Sequence, residues 1–237
     1  MSKKLLSLLL VFLMVFSLAA CGSDAPADGE GGDAAGETYT IKIGTGYNDG
    51  HYMVNAYEAF KEYVEAESNG RIAVEIFANG SLISADADAL EMVSSNTVQL
   101  TNSDYTVMGT FINDKRWEST SIPFYYGTDP AGCYTILDNA ECWQQLYAEL
   151  EDVAGIKLMG SVNGGSACIT NATTSIDNME AFKGLRLRTA ESAPYVKPVE
   201  LWGANPTPMP YGEIYTSVQQ NVIDGVFTSK SAVVQSK

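Results

Sequence analysis

The chain has 237 residues with 29 acidic and 14 basic side chains, a formal charge of −15, one histidine and four cysteines. Phosphate backbones are bound by clustered Lys and Arg, so this strongly negative surface excludes nucleic acid as a partner. A single histidine also leaves little for nucleophilic or metal chemistry.

Residues 1–20 have the layout of a secretory leader. Lys3 and Lys4 precede an almost wholly apolar run from Leu5 to Leu18, and Leu18-Ala19-Ala20 stands before Cys21. The apolar run is short for a permanent span of about 20 residues, and small residues before a cysteine suit cleavage after lipidation. Residues 1–20 are thus expected to be a lipoprotein signal peptide with Cys21 as the lipidated N-terminus; an uncleaved anchor is the competing reading. Either places the remainder outside the cytoplasm. From Gly22 to Thr38 the sequence is rich in Gly, Ala, Asp and Glu without an aromatic residue, so residues 21–38 are expected to form a flexible tether. Gly22 offers no acidic retention signal after the cysteine. Without residues 1–20 the chain keeps 12 basic against 29 acidic side chains, or −17.

From Tyr39 short β-like runs alternate with amphipathic helical ones, the pattern of an α/β fold with a largely parallel sheet. A strand is expected at Tyr39–Gly44. A helix follows at Tyr52–Ser68, with Met53, Ala56, Phe60 and Val64 inward and Asn69-Gly70 as its stop. Ile72, Val74 and Ile76 alternate with polar or small residues as a half-buried strand. A helix at Asp86–Ser95 carries Leu90 and Val93, a short strand covers Val98–Asn102, and Ile122-Pro123-Phe124-Tyr125-Tyr126 makes an apolar crossing. One long helix is expected over Asp129–Val153, then a strand over Gly155–Val162. A first lobe is therefore drawn at 39–162 and a second at 163–237. The second holds a short helix from Asp177 to Gly184, a strand at Leu185–Thr189, a helix at Glu191–Trp202 and an extended run at Asn205–Met209. A helix at Tyr211–Gln220, with Ile214 and Val218 inward, and a strand at Gly225–Thr228 complete it.

With Cys21 given to lipid, Cys133, Cys142 and Cys168 remain. Nine residues of helix separate the first two by about 13 Å, too far for a disulfide whose Cα atoms must come within about 7 Å. Buried thiols are expected, with a disulfide from Cys168 to either left open.

No Gly-x-Ser-x-Gly elbow exists, and Gly44-Thr45-Gly46 lacks the later glycine or lysine of a nucleotide loop. Recognition remains, and Arg188 is its leading candidate. Strand alternation sets Arg186 and Arg188 on one face, and a guanidinium is a permanently charged planar fork that matches a carboxylate. The competing reading is a solvated or salt-bridged strand arginine.

Three blocks fall in a familiar order and spacing: Gly184-Leu185-Arg186-Leu187-Arg188-Thr189, the run from Gly203 to Tyr215 (GANPTPMPYGEIY), and Val222-Ile223-Asp224-Gly225. They resemble the extracytoplasmic solute-binding subunits of tripartite ATP-independent periplasmic (TRAP) transporters, the C4-dicarboxylate-binding, DctP-like type. Asn69-Gly70-Arg71-Ile72, Asn79-Gly80-Ser81-Leu82 and Ile122-Pro123-Phe124 agree, so the resemblance runs from about Tyr39 to about Thr228. It implies an α/β, two-lobed periplasmic-binding-protein-like fold with a hinge and the ligand in the cleft. It also implies a binding module working with membrane permease subunits; the residue inventory assigns no catalytic residue, cofactor or metal ligand and leaves open a metal ion in the cleft, and the membrane anchor is the lipid expected on Cys21. Carried over by position, Arg188 would pair with the substrate carboxylate. Tyr211 would line the pocket, Glu191 would follow as a polar group, and Thr228 would contact ligand after the Asp-Gly pair. Asn102 and His51 would contribute from the first lobe.

The sequence departs from that pattern in three places. Ser166, Ala167 and Cys168 stand where many members have Arg or Gln, which leaves a monocarboxylate, a hydroxy or oxo acid or a sugar acid beside a dicarboxylate. Thr228 replaces a frequent Asn. The family also continues beyond the position of Lys237, so a fragment or truncated product is expected. A receptor module presenting ligand to a sensor kinase, or a secreted hydrolase dependent on His51, are the alternatives from other classes.

Overall fold

The computed structural model describes residues 37–122 and 130–235. The leader, Cys21, most of the tether, Pro123–Tyr126 of the expected crossing and Asp129 lie outside the described residues. Two sheets organise the rest. The first has order β2-β1-β3, all parallel: β1 (Tyr39–Gly44), β2 (Ile72–Phe77) and β3 (Leu100–Thr101). The second has order β4-β7-β5-β6: β4 (Ala167–Asn171), β5 (Arg186–Thr189), β6 (Asn205–Pro208) and β7 (Gly225–Ser229). Here β5 runs parallel to β6 and β7, and β4 antiparallel to β7.

Helix α1 (Tyr52–Glu67) starts where the His51 side chain caps the Met53 N–H. It ends at Asn69 and Gly70, whose φ of 51° and 73° turn the chain left-handed, a geometry glycine adopts freely and asparagine tolerates. Its buried face is Val54 and Tyr57 with Met53, Phe60 and Val64 beside them; Ala56, expected inward, is exposed. Helix α2 (Asp86–Ser94) buries Ala89 and Leu90. Next come α3 (Tyr105–Phe111) and a 3-10 turn at Lys115–Ser121, capped by Asp104 and Asp114. Neither was foreseen.

The single helix expected over Asp129–Val153 is two, α4 (Pro130–Asn139) and α5 (Glu141–Ala154), because Ala140 adopts extended ψ between them. Gly155 closes α5 at φ 67°. Residues 155–162 form no strand: Ile156 and Leu158 pack on the helical core while Met159 and Val162 face solvent, with no ladder partner among the described residues. That core joins α2, α3, α4 and α5 around Trp117, Trp143, Leu146 and Leu150. A strand that the sequence reading did not propose, β4, instead edges the second sheet beside β7.

Beyond β5, α6 (Ala193–Leu201) packs Val199 against Leu187, Phe182 and Ala204. After a 3-10 turn at Tyr211–Glu213, α7 (Ile214–Gln219) buries Ile214 but leaves Val218 exposed, since so short a helix presents only one turn to the core. A last helix, α8 (Lys230–Gln235), follows β7. Cys133, Cys142 and Cys168 are free. Cys142 is exposed rather than buried, because the apolar stripe of α5 is Trp143, Leu146 and Leu150.

Candidate functional site

In an open parallel sheet, ligands gather beyond the carboxyl ends of the strands. Arg188 lies near that end of β5, between β6 and β7, and is 5% exposed. Its Nε and Nη2 donate to the Met209 carbonyl at 3.1 and 2.8 Å. No ion pair holds it, and Nη1 has no hydrogen-bond partner, among the described residues. Arg186, two residues earlier, is instead tied to Asp224 at 2.6 Å and to the Asn221 carbonyl. Burial lowers the Arg188 pKa against the attraction of Asp86 and Glu191, yet a guanidinium stays charged.

The Met209 carbonyl that orients Arg188 leads directly into Tyr211. The Tyr211 hydroxyl donates to the Ala232 carbonyl at 2.8 Å, and burial raises its pKa to about 12. Its ring stands edge-on to Tyr47 at 5.0 Å and to His51 at 5.8 Å. A methyl placed on Gly212 would lie 3.7 Å from the Gly46 carbonyl oxygen, so the loops after β1 and β6 touch here.

His51 is 2% exposed and stacks on Tyr47 with ring centres 3.9 Å apart. Burial lowers its pKa. Its Nδ1 accepts from the Met53 N–H at 3.2 Å, which assigns the proton of the neutral ring to Nε2. The ring thus presents a donor, and its basic nitrogen is already engaged.

Four groups that sequence reasoning missed complete the neighbourhood: Tyr47, Asp86, Asp104 and Tyr195. Asp86, in the first turn of α2, is exposed by area. Desolvation, reinforced by Asp104 and Glu191 and opposed by Arg188, raises its pKa to about 6. Asp104 accepts from the Thr106 N–H and hydroxyl at 2.8 and 2.6 Å and from the Tyr195 hydroxyl at 3.1 Å. Thr106 in turn meets the Ser192 hydroxyl at 3.0 Å. These bonds join the start of α3 to the start of α6. The signal for Asp104 was its place one residue before a helix, and for Asp86 its place in a first turn.

The fold therefore brings Arg188, Tyr211 and His51 into one neighbourhood, with Glu191 at its exposed margin, where its charge reaches Arg188 and Asp86. Asn102 is engaged elsewhere, its Oδ1 accepting from Thr45 at 2.8 Å and Tyr57 at 3.0 Å. Thr228 is half-buried in β7 opposite Cys168 and makes no hydrogen bond to Arg188, Tyr211 or His51. Among the described residues no group of three or more His, Cys, Asp or Glu could hold a metal ion. Chemically, the neighbourhood can hold an anion at Arg188 and accept hydrogen bonds at its carboxylates.

The model of a family described as bacterial extracellular solute-binding protein, family 7 (DctP), matches residues 43–237. A solute-binding protein of Verminephrobacter eiseniae is 28% identical over 204 residues, covering 86% of this chain and 58% of that protein. The ectoine-binding periplasmic protein TeaA of Halomonas elongata is 27% identical, covering 71% and 48%. The chain thus spans roughly half the length of these curated relatives. Among solved structures, the sugar acid binding protein DctPAm of Advenella mimigardefordensis, in complex with galactonate, superposes with a TM-score of 0.76 at 24% identity. It covers 84% of this chain and 63% of that one. The fold is therefore the two-lobed α/β fold of periplasmic solute-binding proteins.

Proposed function

The chain belongs to family 7 of the bacterial extracellular solute-binding proteins, and from that premise we propose that it captures a small organic acid outside the cytoplasm for a TRAP-type permease. Arg188 carries this reading: a buried guanidinium, anchored by one backbone carbonyl and, among the described residues, held by no acidic side chain and with Nη1 open. Burying a charge without a counterion is costly, and an incoming carboxylate would supply the missing partner. The ligands named for relatives, ectoine and galactonate, each carry one carboxylate and agree with that role.

Residues 39–162 and 163–237 are read as the two lobes, with the ligand between them. Asp104 to Tyr195, Thr106 to Ser192 and Tyr47 to Tyr211 are the contacts that hinge closure would make over it. Residues 1–20, Cys21 and residues 21–38 would supply export, a lipid anchor and reach to the permease. Tyr211 and His51 would wall the pocket, and Glu191, Asn102 and Thr228 would stand further from its centre. No catalytic step is assigned.

The test is a thermal-shift screen of the full chain against mono- and dicarboxylates, oxo acids and sugar acids, with Arg188→Ala alongside. A ligand at 100 times its dissociation constant adds about 2.7 kcal/mol to stability. A shift in the wild type that vanishes in Arg188→Ala upholds the reading. A cooperative melt that no acid moves refutes it.

A further inference from the structure

The start of α3, which follows β3 of the first sheet, meets the start of α6, which follows β5 of the second. Hydrogen bonds run through that meeting, and the donors available assign their directions. The Thr106 hydroxyl has one proton, and a carboxylate only accepts, so the 2.6 Å bond to Asp104 Oδ1 spends it. The Ser192 hydroxyl, 3.0 Å from Thr106 Oγ1, must then be the donor in that pair. The Tyr195 hydroxyl donates to the other oxygen, Oδ2, at 3.1 Å. With the Thr106 N–H, also bonded to Oδ1, all of these protons are directed towards Asp104, and the two that cross between the sheets' helices start on Ser192 and Tyr195.

The crossing is favoured by the sequence around it. Ser192 is the N-cap of α6, where a serine hydroxyl ordinarily accepts from an N–H of its own helix, yet it makes no such bond. Pro194 has no N–H to offer, and the Tyr195 N–H is taken by the Ser192 carbonyl at 3.1 Å, so the hydroxyl is released to Thr106. Thr106 is fully buried and Ser192 is 4% exposed, so neither hydroxyl can exchange its partner for water while the helices stay together. Phe227 of β7 meets the Tyr195 ring edge-on at 5.9 Å and steadies it.

We infer that Asp104 is a latch between the helices of the two sheets, a positioning residue that holds Ser192 and Tyr195 against α3 through bonds that no solute supplies. On the two-lobe reading above, on which this consequence rests, the cleft is held shut in part before a solute arrives, and the latch sets how often it opens. A hydrogen bond to a charged acceptor is worth about tenfold or more in such an equilibrium, and one between neutral hydroxyls about fivefold.

Residue-resolved hydrogen exchange of the unliganded full chain tests this, since an amide covered by a contact exchanges in proportion to its opening. In Tyr195→Phe, which keeps the ring on Phe227, the amides of residues 106–109, buried in α3 on the opposite side, should exchange about tenfold faster. Ser192→Ala should speed the same amides about fivefold, and β1 and β2 should not change. Tyr147→Phe, which removes a hydroxyl bonded to Tyr105 and the Leu137 carbonyl, is the matched control and should leave the α6 amides as in wild type. Unchanged exchange at 106–109 in either α6 variant overturns the latch. A rise in β1 and β2 as large as that in α3, or α6 amides moved as far by Tyr147→Phe as by Tyr195→Phe, overturns it equally. No solute enters this experiment, so the two readings fail separately. An acid screen without a binder sinks the receptor reading alone, and acid binding through Arg188 with residues 106–109 unmoved sinks the latch alone.

Discussion

If Arg188 is kept for a guest rather than for folding, Arg188→Met should separate the two. A buried guanidinium without a counterion carries a desolvation cost of several kcal/mol, part of which an apolar side chain of similar length would return, about 1–4 kcal/mol by the measure of whole buried ion pairs replaced by apolar groups. Against this, the Met209 carbonyl loses both donors, at 3.1 and 2.8 Å. A buried acceptor left unsatisfied costs about 1–3 kcal/mol. The two nearly cancel, so the unliganded variant should melt within a few degrees of wild type, given that 1 kcal/mol moves Tm by about 2–4 °C at this size. Binding should not cancel. Removing one partner of a desolvated, hydrogen-bonded charge pair costs about 2–5 kcal/mol, a loss of roughly thirtyfold to several thousandfold in affinity. Urea denaturation of the unliganded protein and calorimetric titration with an acid that binds wild type give both numbers. A variant that loses more than about 4 kcal/mol of stability, or one that binds as well as wild type, would refute the argument.

Three further outcomes are expected. In Gly225→Ala the new methyl would lie 2.4 Å from the Thr170 carbonyl oxygen and 2.6 Å from Asn171 Cβ, inside the β4–β7 ladder. It should cost about 3 kcal/mol in urea denaturation, and an unchanged midpoint would count against the strand register. Cys142, exposed, should react with a thiol reagent well before the half-buried Cys133, whose thiol burial pushes up in pKa; the reverse order in mass-mapped labelling would contradict the α5 orientation. For His51, burial lowers the pKa from 6.5, so the unfolded chain takes up that proton more readily than the folded one. Its contribution is complete above 6.5 and lost as the pH falls below that value. Between pH 7.5 and 5.5 the wild type should therefore lose more stability than His51→Gln, a comparison that leaves the opposite-signed effect of Asp86 unchanged; equal losses would place His51 in contact with water.

Local signals made β1, β2, α1, α2, β5, β6 and β7 readable, because alternation and caps act within a few residues. The failures occurred where a neighbour far along the chain decides. Residues 155–162 carry strand-like residues, but a ladder needs a partner, and β7 takes β4 instead. The halt at Ala140 leaves no trace in periodicity, as alanine is a good helix former. At the site, Arg188 could be singled out because its strand motif is continuous in sequence. Asp86, Asp104, Tyr47 and Tyr195 could not, since each looks like a cap, a first-turn charge or a loop aromatic until folding brings Tyr47 against Tyr211 and Tyr195 onto Asp104.

The strand at one margin of the second sheet, β6, reads Asn-Pro-Thr-Pro. Asn205 donates its amide inward to the Leu185 carbonyl, and Met209 donates to that of Thr189. In a strand, alternate residues address opposite neighbours, so the amides that would face away from β5 belong to Pro206 and Pro208, which have none. An extended segment from another molecule docking along β6 would meet acceptors without donors. This margin is thereby poorly suited to template fibrils, and colloidal risk shifts towards other surfaces.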